Sequence, residues 1–149
     1  MYRNKICAFL HFVWATYDRL PLVTEDIERD LHRYISQVCQ DDECDVLAVG
    51  GMPDHIHLFV RMTNIHSFAD LMKHVKGGSS RFISSTLKPG EWFAWQGGYA
   101  VYSVAMRDRY KLIRCIDNQK QHHRDGTLWL DAEKTCEEED TPPNPDVST

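Results

Sequence analysis

The chain has 149 residues, 42% hydrophobic and 26% charged, which suits one globular domain with its own core and excludes a fibrous or wholly disordered chain. Its five cysteines (Cys7, Cys39, Cys44, Cys115, Cys136) show no CxxC pair and no framework spacing, so reduced thiols in a cytoplasmic protein are expected. The net charge of -5 argues at first against a nucleic-acid partner, but residues 131–149 hold seven acids against Lys134, which leaves the body near neutral with its bases clustered.

The N-terminal run "KICAFLHFVWAT", Lys5 to Thr16, is rich in aromatic and β-branched residues and predicts a first strand buried on much of both faces. It is too short and too interrupted to span a membrane, and no small-residue cleavage site follows it. Thr24 then precedes "EDIERDLHRYISQVCQ", where Ile27, Leu31, Tyr34, Ile35 and Val38 recur at helical spacing behind an acidic first turn. "CDVLAVGG" and "HIHLFVRM" are strand-length runs joined by the turn residues of "GGMPD", which predicts an antiparallel hairpin. Ser67 with Asp70 resembles a capping box for a helix over "FADLMKHVKGGSSRFISSTL", whose interior "GGSS" weakens it and invites a close approach to its backbone. "EWFAWQGGYAVYSV" predicts a strand broken near Gly97 and Gly98, and a last helix is expected from about Arg107 to Arg124.

This order is β-α-β-β-α-β with one more helix. It predicts an α+β, ferredoxin-like (split βαβ) antiparallel sheet with helices on one face plus an added C-terminal helix. Residues 1–130 are expected to form that domain. Residues 131–149, with "EEED" and "TPPNP", are too polar to bury themselves and are expected to be a disordered acidic tail that competes with DNA for basic surface.

The chemistry concentrates in "PDHIHLFV". Residues two apart on a strand share a face, so His55 and His57 stand side by side while Ile56 and Leu58 turn to the core. Two imidazoles can converge on one cation, and the neutral oxygen of Gln119 on the last helix is a candidate third ligand. Such a set leaves positions open for water and substrate oxygens, which suits magnesium or manganese in phosphoryl chemistry better than a closed zinc site. Cys115, Gln119 and His123 also recur at four-residue spacing, a softer alternative set for zinc on one helix.

Five segments in order, "HFVWATYDRLPLV", "VGGMPDHIHLFV", "LMKHVKGGSSRFI", "FAWQGGYAVYSV" and "IDNQKQHHR", resemble the single-tyrosine HUH transposases of the smallest bacterial insertion sequences and their repeat-associated relatives. The resemblance covers about Lys5 to Arg124. It implies a ferredoxin-like core, a homodimer, and metal-dependent cleavage and rejoining of single-stranded DNA at hairpin-marked ends. It also implies that His55, His57 and Gln119 are the metal ligands. The family's nucleophile is a tyrosine four residues before that glutamine, and here the position holds Cys115.

A tyrosine there would lie about one helical turn from the glutamine and form a covalent phosphodiester-like link to DNA, preserving the bond for rejoining. Cys115 is softer toward phosphorus, although Arg114 beside it could lower its pKa. Tyr110 sits about 140° round the predicted helix from Cys115 and faces away. Tyr99 and Tyr102, on the preceding strand and loop, stay open as substitutes. The residues therefore predict a DNA-binding transposase relative with its cleavage step in question. Active strand transfer through Cys115 or another tyrosine, and a non-catalytic nucleic-acid-binding module, are the alternatives.

For DNA, Lys73, Lys76 and Arg81 with the Gly77–Gly78 backbone, and Arg107, Arg109 and Lys111, are candidate phosphate contacts. Trp92, Trp95, Tyr99 and Tyr102 are candidate stacking faces, most of them expected in the core.

Overall fold

A computed structural model describes residues 4–63 and 67–119. The expected acidic tail, His122 and His123 lie outside the described residues.

Four antiparallel strands form one sheet in the order β2-β3-β1-β4: β1 is Ala8–Ala15, β2 Cys44–Met52, β3 His55–Met62 and β4 Ala100–Ser103. With α1 (Glu25–Asp41) between β1 and β2, and α2 (Phe68–Phe82) between β3 and β4, this is the expected ferredoxin-like arrangement. The first face of the sheet carries the main core. Leu10, Phe12 and Trp14 of β1 and Ile56, Leu58 and Val60 of β3 pack there against Ile27, Leu31 and Ile35 of α1 and Leu71, Met72 and Val75 of α2. Each strand set has a period of two and each helix set a period near four, so the sequence pattern builds this layer directly.

The capping expectation at α2 holds, because Ser67 Oγ accepts the Asp70 backbone N–H at 3.0 Å. Of the two glycines inside α2, Gly78 serves helix packing, whereas a Cβ on Gly77 would meet nothing within 4 Å. A Cβ on Gly78 would stand 2.8 Å from the Tyr34 hydroxyl, so α1 is what approaches that backbone.

The aromatic segment before β4 is interrupted around Gly97 and Gly98, where the sequence predicts a break, but it forms less strand ahead of that break than expected. Only Ala100–Ser103 joins the ladder, while Trp95 makes a single bridge to Thr16. The cause is lateral anchoring: Lys76 Nζ donates to the Gln96 and Gly98 carbonyls at 2.7 and 2.6 Å, and Trp95 Nε1 donates to Ser79 Oγ at 3.0 Å. These bonds hold the loop against α2, while the Tyr17 and Gln96 N–H groups bond the Ala94 and Ala15 carbonyls at 3.0 and 2.9 Å and tie it to the end of β1.

The last helix begins close to the expected place, and residues 120–124 of its expected span lie outside the described residues. α3 spans Arg109–Asp117, and Asn118 leaves helical geometry at φ -110° and ψ 28°. It packs on the second face of the sheet, where Leu112 and Ile116 meet Ala48 of β2 and Phe59 of β3.

A candidate metal centre on the second sheet face

Cross-strand register places the histidines under this second layer. His57 is paired with Gly50 of β2 and Val13 of β1, and His55 with Met52 and Ala15. Gly50 permits the end of α3 to come down here, since a Cβ would lie 2.5 Å from the Ile116 carbonyl oxygen. Ile116 follows Cys115 in the last turn of α3, so the chain segment with Cys115 and Gln119 arrives beside the strand that neighbours His57.

Both rings are buried, His55 to 3% exposure and His57 to 1%, and their Nε2 atoms are buried as well. The rings stand edge to face with centroids 5.0 Å apart, near enough for both to serve one ion. Each is oriented through Nδ1. His55 donates Nδ1–H to Asp54 Oδ1 at 2.7 Å, while His57 Nδ1 shares a 2.9 Å hydrogen bond with His11 Nε2 on β1. The His55 hydrogen bond, helped by the charges of His55 and Arg19, holds the Asp54 carboxyl below the usual carboxylate range.

Asp54 is itself fixed by the loop after β1. Thr16 N donates to the Asp54 carbonyl at 2.9 Å, Val23 N to the Pro53 carbonyl at 2.9 Å, and Arg19 lies 3.6 Å from the second Asp54 carboxylate oxygen. Asp18 and Arg19 reach this position with φ of 50° and 51°, a left-handed geometry that ordinary residues adopt at a cost of about 1–3 kcal/mol each. "HFVWATYDRLPLV" and "MPDHIH", far apart in sequence, therefore form one clasp.

The donor set fits a divalent ion. Two imidazoles, one backed by a carboxylate, form the histidine half of a ligand shell with its outer support in place. Among the described residues no group of three His, Cys, Asp or Glu side chains is arranged to hold a metal. Gln119 is 5% exposed and has an amide oxygen. Because the helix breaks at Asn118, its direction relative to the half-buried Cys115 does not follow from helical periodicity. The zinc alternative depends on His123, outside the described residues.

The basic candidates divide between two layers. Lys73 and Arg81 are exposed on α2, across the sheet from the histidines, and Lys76 is engaged by the Gln96 and Gly98 carbonyls. Arg107, in the short turn that leads into α3, and Lys111, in the first turn of α3, are exposed on the histidine side. Arg109 folds back, donating to the Met106 carbonyl at 2.6 Å and lying 4.4 Å above the Tyr110 ring. Of the aromatics, Trp95 and Tyr99 pack into the main core, whereas Trp92 is 61% exposed against Tyr17. Tyr110 is 62% exposed, but Tyr102 lies on the histidine face with its ring centroid 6.2 Å from that of His11.

Sequence reasoning missed His11, Asp54 and Arg19. Asp54 had a signal, a carboxylate adjoining a candidate ligand, of the kind that commonly orients metal-bound imidazoles. His11 had none before its strand was registered against β3.

Fold and site together define a ferredoxin-like α+β protein with a buried, carboxylate-backed histidine pair on the sheet face that carries its last helix. The IS200-like transposase family model matches residues 7–119, and the chain belongs to that family, whose members act in DNA transposition. It is 25% identical over 114 residues to the ISDra2 transposase TnpA of Deinococcus radiodurans, a match covering 73% of this chain and 81% of that protein. A crystal structure of a chain assigned as a transposase in Deinococcus radiodurans R1 superposes with a TM-score of 0.62 at 26% identity, covering 80% of this chain and 98% of the other. The fold is also shared with a REP-associated tyrosine transposase bound to a REP hairpin, at TM-score 0.61 and 17% identity over 83% of this chain and 73% of the other. Among the described residues no helix is long and apolar enough to cross a membrane.

Proposed function

We propose that this protein binds hairpin or single-stranded DNA as a homodimer, holds one magnesium or manganese ion with His55, His57 and Gln119, and has lost strand cleavage through replacement of the nucleophilic tyrosine by Cys115. The observation that carries the reading is the buried pair itself, with His55 fixed through Nδ1 by the Asp54 carboxylate at 2.7 Å. When bound, a divalent ion supplies charge neutralisation at a phosphate oxygen. The protein's own groups do the rest. Asp54 and His11 orient the imidazoles, and Arg107 and Lys111 on the same side neutralise neighbouring phosphates. The exposed Trp92 offers a stacking face for an unpaired base. A structural neighbour bound to a REP hairpin supports a hairpin as the DNA form.

The test uses labelled hairpin-tailed single-stranded DNA with magnesium or manganese, comparing wild type with Cys115→Tyr. Binding by both proteins, with cleavage and a covalent adduct only in the tyrosine variant, is the expected result. Equal cleavage by wild type would overturn the loss of activity, and absence of binding by either would overturn the DNA partner.

A second reading, strand transfer through another tyrosine, is favoured by one observation: among Tyr99, Tyr102 and Tyr110, Tyr102 lies on the histidine face. Cleavage by wild type that disappears in Tyr102→Phe would establish it.

A further inference from the structure

His11 and His57 are diagonal neighbours on adjacent strands, because His11 is paired with Phe59 and His57 with Val13. Both are 1% exposed, their rings lie 21° from parallel with centroids 5.1 Å apart, and His11 Nε2 is 2.9 Å from His57 Nδ1. Burying two imidazoles in contact is tolerable only if this hydrogen bond is made. One proton lies between the two nitrogens, and its owner decides what the other nitrogen of His57 can do.

With neutral rings, if His11 donates, the His57 proton sits on Nε2 and that nitrogen has no lone pair to offer. If His57 donates from Nδ1, its Nε2 carries a lone pair and the His11 proton sits on Nδ1. Asp54, an acceptor without a proton, imposes the second arrangement on His55.

We propose that His11 is a positioning residue that accepts the Nδ1 proton of His57 and so fixes it as the tautomer whose Nε2 can bind a metal. The inference rests on the metal-holding reading of the histidine pair and deepens it. The two ligands then differ in their support: His55 is backed by a carboxylate and His57 by a neutral imidazole. A carboxylate raises ligand basicity more than a neutral acceptor does, so His57 is the weaker donor and depends more on its orientation.

The test combines long-range nitrogen–proton NMR of the histidine rings in the metal-free full chain with Mn2+ titration, for wild type, His11→Gln and His11→Phe. Wild type is expected to show His57 protonated on Nδ1. His11→Gln, whose amide oxygen can accept the same proton, is expected to keep that tautomer and bind Mn2+ within a few-fold of wild type. His11→Phe is expected to move the His57 proton toward Nε2 and weaken Mn2+ binding by about 10–100-fold, the range seen when an outer-shell partner is removed. A purely structural role would alter stability in both variants without a tautomer change that glutamine rescues.

Wild-type His57 protonated on Nε2 in a protein that binds Mn2+ would overturn the role of His11 alone. So would a His11→Phe variant with the wild-type tautomer and affinity. A wild type that binds no Mn2+ would overturn the metal reading itself. If His11→Phe does not fold, the wild-type tautomer and the His11→Gln titration still decide the matter.

Discussion

The carboxylate of Asp54 accepts the Nδ1 proton of His55 at 2.7 Å, so the last residue of a hairpin turn aims the first residue of the strand that follows. Asp54→Ala removes the acceptor while leaving the backbone contacts from Thr16 and Val23 available. Calorimetric titration with Mn2+ should show affinity lower by about 10–100-fold, with little change in near-UV circular dichroism. Arg19→Ala, which removes only the more distant 3.6 Å ion pair, should have a smaller effect.

Gly50→Ala should be destabilising although it adds a single methyl group. The new Cβ would meet the Ile116 carbonyl oxygen at 2.5 Å, and a backbone oxygen cannot rotate away as a side chain can. Overpacking of this kind costs about 1–3 kcal/mol, readable as a lower urea midpoint. Because α3 must lift from the sheet to relieve the contact, Mn2+ affinity should fall with it.

The basic residues should separate by salt dependence. Arg107→Ala and Lys111→Ala, on the histidine side, are each expected to reduce the slope of log affinity against log salt by about 1 for hairpin DNA. Lys76→Met is expected to leave that slope unchanged and to lower the urea midpoint instead, since its ammonium serves the Gln96 and Gly98 carbonyls. A drop in salt slope for Lys76→Met would transfer that residue to the DNA surface.

Burial pushes the Cys39 thiol up from 9.0 to about 12, with Cys44 and Asp42 adding to the shift. A group whose folded pKa is raised contributes stability that is complete below its unfolded pKa and is lost as pH rises toward the folded one. Stability should therefore decline from about pH 9 upward, by at most about 1.4 kcal/mol per pH unit from this thiol. Urea midpoints across that range should fall less steeply for Cys39→Ala. At neutral pH, Cys39 should resist thiol reagents that label the exposed Cys7.

Most of the fold was legible because its signals are local. β3 begins and ends where "HIHLFVRM" does, α1 follows its four-residue apolar period, and Ser67 caps α2 as its spacing suggests. The stretch from Glu91 to Gln96 has an aromatic composition that suits a ladder but forms a single bridge, because Lys76 and Ser79 draw it onto α2. No pattern within that segment records a lysine from another helix. The interruption at Asn118 likewise leaves no mark in the sequence, since one non-helical residue hardly disturbs a four-residue apolar spacing.

By itself, the sequence determined the alternation that buries Ile56 and Leu58 on one face and sets His55 and His57 together on the other. It also determined the element order of the sheet and the presence of cysteine at position 115. Tertiary structure alone decided that His11 would share a proton with His57, and that the Thr16 to Val23 loop would hold Asp54 against His55. It likewise decided that the bases of α2 and α3 would lie on opposite sides of the sheet. The difference is physical: a side chain's face follows from the two-residue period of its own strand, while its partner depends on strand register and loop closure across tens of residues.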